Sequence, residues 1–160
     1  MEFRILGPLE VRRDGTRVEI PGRHRPKLLA ALILDAGRVV TIPRLVEVLW
    51  GVHPPDTARR QVQNTMAALR RDLTAGDVPA IESTSEGYRV PKGGNAIDAH
   101  AFADLVTRAR GARHRDAPAD SLRLLREALD LWRGDACAGM SSDIIQAAAG
   151  RLDEARLSAI

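Results

Sequence analysis

Cysteine and aromatic residues are scarce in this chain of 160 residues. Cys137 is the only cysteine, which excludes an internal disulfide and a cysteine-based zinc site. Aromatic residues make up 3% of the sequence and hydrophobic residues 44%, so the core must consist mainly of leucine, isoleucine, valine and alanine. No apolar run approaches the roughly 20 residues of a membrane span, and the N-terminus lacks the basic and apolar regions of a secretory signal. We therefore expect a soluble, cytoplasmic protein without a membrane partner.

Motifs for catalysis or metal binding are also missing. The histidines are spaced too widely, from one another and from the cysteine, to form a metal site; they are His24, His53, His100 and His114. Neither the phosphate-binding pattern GxxxxGK[ST] nor the nucleophile pattern GxSxG occurs. Asp98 lies close to His100, but an acid near the positive end of a helix is the simpler explanation. We predict no enzyme activity, no metal and no cofactor.

Basic charge is concentrated in the first part of the chain. Residues 1–94 contain 15 Lys+Arg and 11 Asp+Glu, a net charge of +4, whereas residues 95–160 contain 9 and 10, a net charge of −1. This asymmetry indicates a nucleic-acid partner for the first part. The stretch "PKGGN" is the best candidate for a linker. We therefore predict two domains, 1–94 and 95–160, with a boundary near residues 92–97.

The two parts differ in their predicted secondary structure. The first twenty residues read as strands with a hairpin at Asp14-Gly15, and "RPKLLAALILDAG" reads as a buried helix. "TIPRLVEVLWG" predicts a second helix that Thr41 caps and Gly51 ends. A third helix runs from Asp56 to Leu73, and "AIESTSEGYRV" reads as two short strands. The second part shows three amphipathic helices and no strand, with a core stripe at Leu122, Leu125, Leu129 and Trp132.

The third helix, "DTARRQVQNTMAALRRDL", has an unusual polar face. At 100° per residue, Val62, Met66, Leu69 and Leu73 form a buried stripe. The side chains predicted to lie opposite that stripe are Arg60, Asn64, Ala67, Ala68 and Arg71; Gln63 flanks them, with Arg59 and Arg70 nearer the core. No acid occurs between residues 57 and 71. Arginine suits phosphates and guanine edges, asparagine and glutamine suit adenine, and alanine permits contact with thymine methyls. An ordinary solvated, arginine-rich helix explains this pattern equally well when the helix is taken alone.

The order of the elements favours DNA binding. A core helix, a second helix ending in tryptophan, a short loop, the arginine-rich helix and a two-stranded hairpin follow one another as in a winged helix-turn-helix. In that arrangement the second helix supports the third, and the third enters the major groove. The hairpin, called the wing, contacts the adjacent backbone or minor groove.

A set of segments resembles the Streptomyces antibiotic regulatory protein family. These segments are "FRILGPLEV", "LLAALILDAGRVV", "RLVEVLWG", "LRRDL", "GYRV", "DAHAF" and "ALDLWRG", and they span almost the whole chain in order. The resemblance implies an α+β, OmpR-type (OmpR/PhoB-like) winged helix with an N-terminal β-sheet, then an all-α bacterial transcriptional activator domain resembling tetratricopeptide repeats. It also implies a transcriptional activator that binds direct repeats in double-stranded DNA near promoters, recruits RNA polymerase and switches on antibiotic gene clusters.

The resemblance also implies roles for individual residues. Arg60, Gln63, Asn64 and Arg71 would read bases and phosphates from the recognition helix, while Arg59, Arg70 and Arg89 would hold the backbone. Trp50 would approach a phosphate, with a packing role equally compatible, and Thr84 and Ser85 would lie in the wing. The loop "GVHPPD" would face polymerase. Relatives often carry Ser-Arg where this chain has Ala67-Ala68, and an arginine in the wing where it has Thr84 and Ser85. We therefore expect a different base preference and weaker non-specific binding.

Two functions are compatible with these residues. The first is a sequence-specific transcriptional activator that acts as a homodimer on DNA. The alternative is a protein-interaction adaptor, in which the winged helix is a platform and the helical part a docking scaffold. Family members normally carry a longer helical domain, so we expect either a truncated helical domain or a short natural form.

Overall fold

The computed structural model describes residues 1–74, 76 and 79–160. Its first sheet has the order β3-β2-β1-β7, with strands β1 (Glu2–Arg4), β2 (Glu10–Arg13), β3 (Thr16–Val18) and β7 (Ala96–Ile97). The strands β1, β2 and β3 are antiparallel, and β7 pairs with β1 in parallel. The hairpin predicted at Asp14-Gly15 is confirmed. Both residues have positive φ, of 49° and 80°, as a tight turn between two strands requires.

Three helices follow the sheet and form the body of the first part. They are α1 (His24–Leu34), α2 (Ile42–Trp50) and α3 (Ala58–Leu73). The helix α1 is buried on all sides from Leu28 to Ile33. The Thr41 hydroxyl accepts a hydrogen bond from the Arg44 amide at 3.3 Å, and Gly51 ends α2 with a φ of 61°, so both predicted boundaries are confirmed.

A second sheet builds the wing. Its order is β4-β6-β5, with β4 (Val40–Thr41), β5 (Glu82–Ser83) and β6 (Gly87–Arg89), all antiparallel. A methyl group at Gly87 would lie 2.0 Å from the carbonyl oxygen of Val40. Only glycine therefore lets the wing approach β4, and through β4 the strands of the wing are tied to the start of α2.

The second part of the chain is helical, with α4 (Asp98–His114), α5 (Pro118–Asp130) and α6 (Asp143–Ala159). The helices α4 and α5 pack side by side, and Phe102 meets Trp132 edge-on with 5.4 Å between ring centroids. The predicted core stripe is wrong at Leu122, which is 49% exposed, whereas Leu124 is buried. The buried side of α5 is centred on Ser121 and Ala128, and Leu122 lies about 100° from Ser121 around the helix.

The two parts share one continuous core. Phe3, Leu45 and Ile145 belong to the same cluster of buried side chains, and α6 packs on α1 and α2. The prediction of no strand after residue 94 is wrong, since Ala96–Ile97 completes the first sheet. Two residues are too few to show the alternation that identifies a strand in a sequence. The division into domains 1–94 and 95–160 stays a prediction.

A buried carboxylate fixes the junction of the two parts. Asp98 is 8% exposed and accepts hydrogen bonds from the amides of Ile5 (2.9 and 3.0 Å) and Leu6 (3.0 Å). Further along the chain, the Arg133 amide donates to the Leu6 carbonyl at 2.8 Å and the Cys137 amide to the Ile5 carbonyl at 2.9 Å. Asp98 does begin a helix, as predicted, but its carboxylate also accepts hydrogen bonds from the backbone just after β1.

Among the described residues, none of the helices combines the length and the apolar composition that a membrane span requires.

Candidate nucleic-acid interface

The helix α3 is held by the stripe that the sequence predicted. Val62, Met66, Leu69 and Leu73 are at most 1% exposed, and the helix packs on both α1 and α2. At its start, the Gln61 side chain donates to the Thr57 hydroxyl at 2.9 Å. Because this stripe is buried over about three turns, the opposite face of α3 has a fixed orientation towards solvent.

That opposite face is a surface of cations and amides. The exposed side chains are Arg59, Arg60, Gln63, Asn64, Ala67, Arg70 and Arg71. Within the described part of the chain, none of these four arginines forms an ion pair. The acid that follows them, Asp72, is paired with Arg25 at 2.9 Å and is 24% exposed. The face therefore presents uncompensated positive charge beside neutral hydrogen-bonding groups.

Ala68 is the exception among the predicted outward residues. It is 9% exposed, so its assignment to the outer face is wrong, whereas Ala67 is exposed. Ala68 lies on the side of α3 that faces the segment from Pro21 to Arg25 across a cleft. A helical wheel cannot reveal this neighbour, because the facing segment is distant in the sequence.

A cleft lies on each side of the outer face of α3. The first, with a volume of about 490 Å³, separates Asn64, Thr65 and Ala68 from residues 21–25, and we call it the α1 cleft. The second, of about 270 Å³, runs between Ala67, Arg70 and Arg71 of α3 and the base of the wing at Pro79, Ala80 and Ile81. The outer face of α3 is therefore a ridge between two grooves.

The wing is braced by its own side chains. The Thr84 hydroxyl accepts from the amides of Gly87 (3.1 Å) and Glu86 (3.3 Å) and donates to the Gly87 carbonyl (3.2 Å). Ser85 is exposed at the tip. Arg89 donates through Nε to Glu82 at 2.8 Å and forms a second bond to it through Nη2. Thr84 thus shapes the turn, and Arg89 is engaged within the protein rather than free.

Trp50 packs against the core at the end of α2 and is half-buried. Its ring meets the imidazole of His24 edge-on, with 5.4 Å between centroids. Burial lowers the pKa of His24, and the positive charges of Lys27 and Arg23 lower it further. Trp50 therefore packs against the core, and its approach to a phosphate stays a prediction.

The residues that sequence reasoning missed are those of "GRHRPK" at the start of α1. Arg23 and His24 line the α1 cleft opposite Asn64, and Lys27 follows on the next turn. The signal was available as a run of basic side chains within residues 23–27, but nothing local indicated that it would lie beside α3. Elsewhere among the described residues, no group of histidines, cysteines and carboxylates is placed to hold a metal ion.

Two family profiles match the chain, one after the other. "Transcriptional regulatory protein, C terminal" matches residues 16–90, and "Bacterial transcriptional activator domain" matches residues 97–160. Regulatory protein AfsR of Streptomyces coelicolor is 36% identical over 98% of this chain and 16% of its own length. Regulatory protein DnrI of Streptomyces peucetius is 31% identical over all of this chain and 62% of its own length. The chain thus spans less than two thirds of either relative.

A solved structure agrees with these matches. EmbR of Mycobacterium tuberculosis, in complex with a low-affinity phosphopeptide, superposes with a TM-score of 0.93 at 28% identity, over 99% of this chain and 43% of that one. The matched relatives are named as regulators, in agreement with the expectation that the chain is not an enzyme. The fold is the α+β winged helix with a following all-α part that the sequence predicted. These matches confirm the resemblance to the Streptomyces antibiotic regulatory protein family of transcriptional regulators.

Proposed function

We propose that this chain binds double-stranded DNA in a sequence-specific way by inserting α3 into the major groove. The observation that carries the proposal is the outer face of α3, with four arginines that no carboxylate of the described residues neutralises and two exposed amides. A helix with its side chains is about 10–12 Å across, and the major groove is about 12 Å wide. The groove therefore accepts such a ridge, and its phosphates attract the ridge's charge.

The outermost residues of α3 are assigned to the bases. Arg60, Asn64 and Arg71 lie farthest from the buried stripe, and Gln63 lies beside them. Arginine forms two hydrogen bonds with guanine, and asparagine or glutamine forms two with adenine. Ala67 offers a methyl group to thymine. Each well-placed pair of hydrogen bonds discriminates against a wrong base by about 1–3 kcal/mol.

The remaining predicted contacts are assigned to the backbone. Arg59 and Arg70 flank the outer face, and Ser85 and Thr84 lie at the exposed end of the wing. Arg89 would have to exchange its bond with Glu82 for a phosphate. Trp50, at the end of α2, would meet a phosphate only with the exposed part of its ring.

At the level of transcription, we propose that two copies bind direct repeats near a promoter and recruit RNA polymerase in the cytoplasm. The exposed loop from Gly51 to Asp56, with Val52 84% exposed, is the proposed contact with polymerase. Residues 95–160 are the proposed activator domain and dimerisation element. The relatives AfsR and DnrI support control of an antibiotic gene cluster as the biological role.

The test is fluorescence anisotropy with a promoter-derived duplex that carries a direct repeat, a scrambled duplex and a salt series. We expect preference for the repeat and a plot of log K against log salt with a slope of several units, since each phosphate contact contributes about 0.9. The double variant Arg71→Ala, Asn64→Ala should lose the preference, and Arg17→Ala, which removes an exposed arginine of β3, should not.

Either of two results would overturn the proposal. If the double variant keeps full preference for the repeat, α3 is not the reading surface. If the wild-type chain binds neither duplex, and also passes through a heparin column at moderate salt, the adaptor function replaces DNA binding.

A further inference from the structure

One flank of α3 has no cation of its own. At 100° per residue, Gln61, Thr65, Ala68 and Asp72 form the flank on the side of the α1 cleft. The arginines of α3 lie on the outermost face or on the other flank, towards α2 and the wing. A helix in the major groove lies between the phosphate backbones of the two DNA strands. The DNA backbone beside the α1 cleft must therefore be contacted by cations from another element of the protein.

The far wall of the α1 cleft supplies them. Arg23 and His24 line this wall, and Lys27 follows them on α1. Across the cleft, Thr65 and Ala68 are short side chains, which leave the open volume of about 490 Å³ between the walls. Arg23 has no carboxylate within ion-pair distance among residues 1–74, 76 and 79–160. Its charge is thus available to an anion that enters the cleft.

The acid on this flank is neutralised from the same segment. Arg25 Nη1 lies 2.9 Å from Asp72 Oδ2, and the two side chains are 32% and 24% exposed. This ion pair ties the start of α1 to the end of α3 and removes a negative charge that would repel a phosphate. The lowered pKa of His24, caused first by burial and then by Lys27 and Arg23, is consistent with a positive field at this wall.

We propose that the α1 cleft seats a backbone phosphate of the DNA strand opposite the one that the wing approaches, with Arg23 as the principal cation, Lys27 as a second one and the His24 ring lining the wall between them. Arg25 is a positioning residue, because its ion pair with Asp72 holds the start of α1 against the end of α3. The inference rests on the proposed function, because it requires α3 to lie in the major groove. It adds a contact on the second strand that α3 itself does not make.

The salt dependence of binding tests this contact. The variants are Arg23→Ala, Arg23→Lys and the charge-matched control Arg17→Ala, which removes an exposed arginine of β3, each measured on the direct-repeat duplex and on the scrambled duplex. For Arg23→Ala we expect a slope about one unit shallower on both duplexes, because one phosphate contact is lost, with the ratio of the two affinities unchanged. Arg23→Lys should retain the wild-type slope, since a point charge suffices for a phosphate. Thermal unfolding confirms that each variant is folded.

A second measurement locates the phosphate. Single uncharged methylphosphonates are placed along each strand of the direct-repeat duplex. One methylphosphonate on the DNA strand away from the wing should weaken binding of the wild-type protein. The same methylphosphonate should not weaken binding of Arg23→Ala, which already lacks the contact. Equal salt slopes for wild type and Arg23→Ala would refute the contact while leaving the proposed function intact. Failure of the wild-type chain to bind any duplex would refute both.

Discussion

Replacing Asp98 with alanine tests how firmly the two parts of the chain depend on one another. The substitution removes the acceptor for the amides of Ile5 and Leu6, which are both buried. A buried donor left unpaired costs about 1–3 kcal/mol, so two donors cost roughly 2–6 kcal/mol. Burial raises the pKa of Asp98, and relief from burying this carboxylate offsets part of the loss. We expect a net loss of about 2–4 kcal/mol.

Urea unfolding followed by circular dichroism measures the effect. With a slope of about 2 kcal/mol per molar urea, the midpoint should fall by roughly 1–2 M. Asp104→Ala is the matched control on the same helix, because Asp104 is 67% exposed and its ion pair with Arg108 is 3.7 Å long. Exposed pairs of this kind contribute about 0–1 kcal/mol. Equal midpoints for the two variants would mean that the amides of Ile5 and Leu6 find other acceptors, and that Asp98 does not stabilise the junction.

Two further predictions concern the wing and the response to pH. Gly87→Ala places a methyl group 2.0 Å from the Val40 carbonyl and should cost at least about 2 kcal/mol, whereas Gly93→Ala meets nothing within 4 Å and should leave the urea midpoint unchanged. His24 has a pKa below its ordinary value in the folded state, mainly because it is partly buried, so the unfolded chain binds the proton more readily. Stability should therefore fall as pH drops below about 6.5, and His24→Gln should flatten that fall in thermal unfolding; an unaltered pH profile would contradict this. Because burial also lowers the pKa of His100, His24→Gln should leave part of the pH dependence of stability in place.

The features that could be predicted from the sequence are those with a local cause. The hairpin at Asp14-Gly15 depends on two residues that tolerate positive φ, and the limits of α2 depend on Thr41 and Gly51. The buried stripe of α3 follows from its 3.6-residue period. Because the stripe fixes the helix orientation, the exposure of Arg60 and its neighbours on the outer face was also predictable.

The features that were missed depend on partners far away in the sequence. The strand β7 exists because β1 offers an unpaired edge, and the carboxylate of Asp98 has its role because Ile5 and Leu6 lie beside it. Ala68 faces the segment from Pro21 to Arg25, and the same segment brings Arg23 to the α1 cleft. No local pattern encodes these contacts, so periodicity and turn residues could not reveal them.

The pairing of β1 with β7 affects how the protein emerges during synthesis. Ile5 and Asp98 are 93 residues apart, and at roughly 5–20 residues per second the ribosome needs on the order of 5–20 s to deliver the second after the first. During that interval β1 exposes an open edge, which is a template for pairing with another chain. The nascent winged helix therefore completes its first sheet only when the start of α4 has left the exit tunnel, which couples folding of the first part of the chain to translation of the helical part.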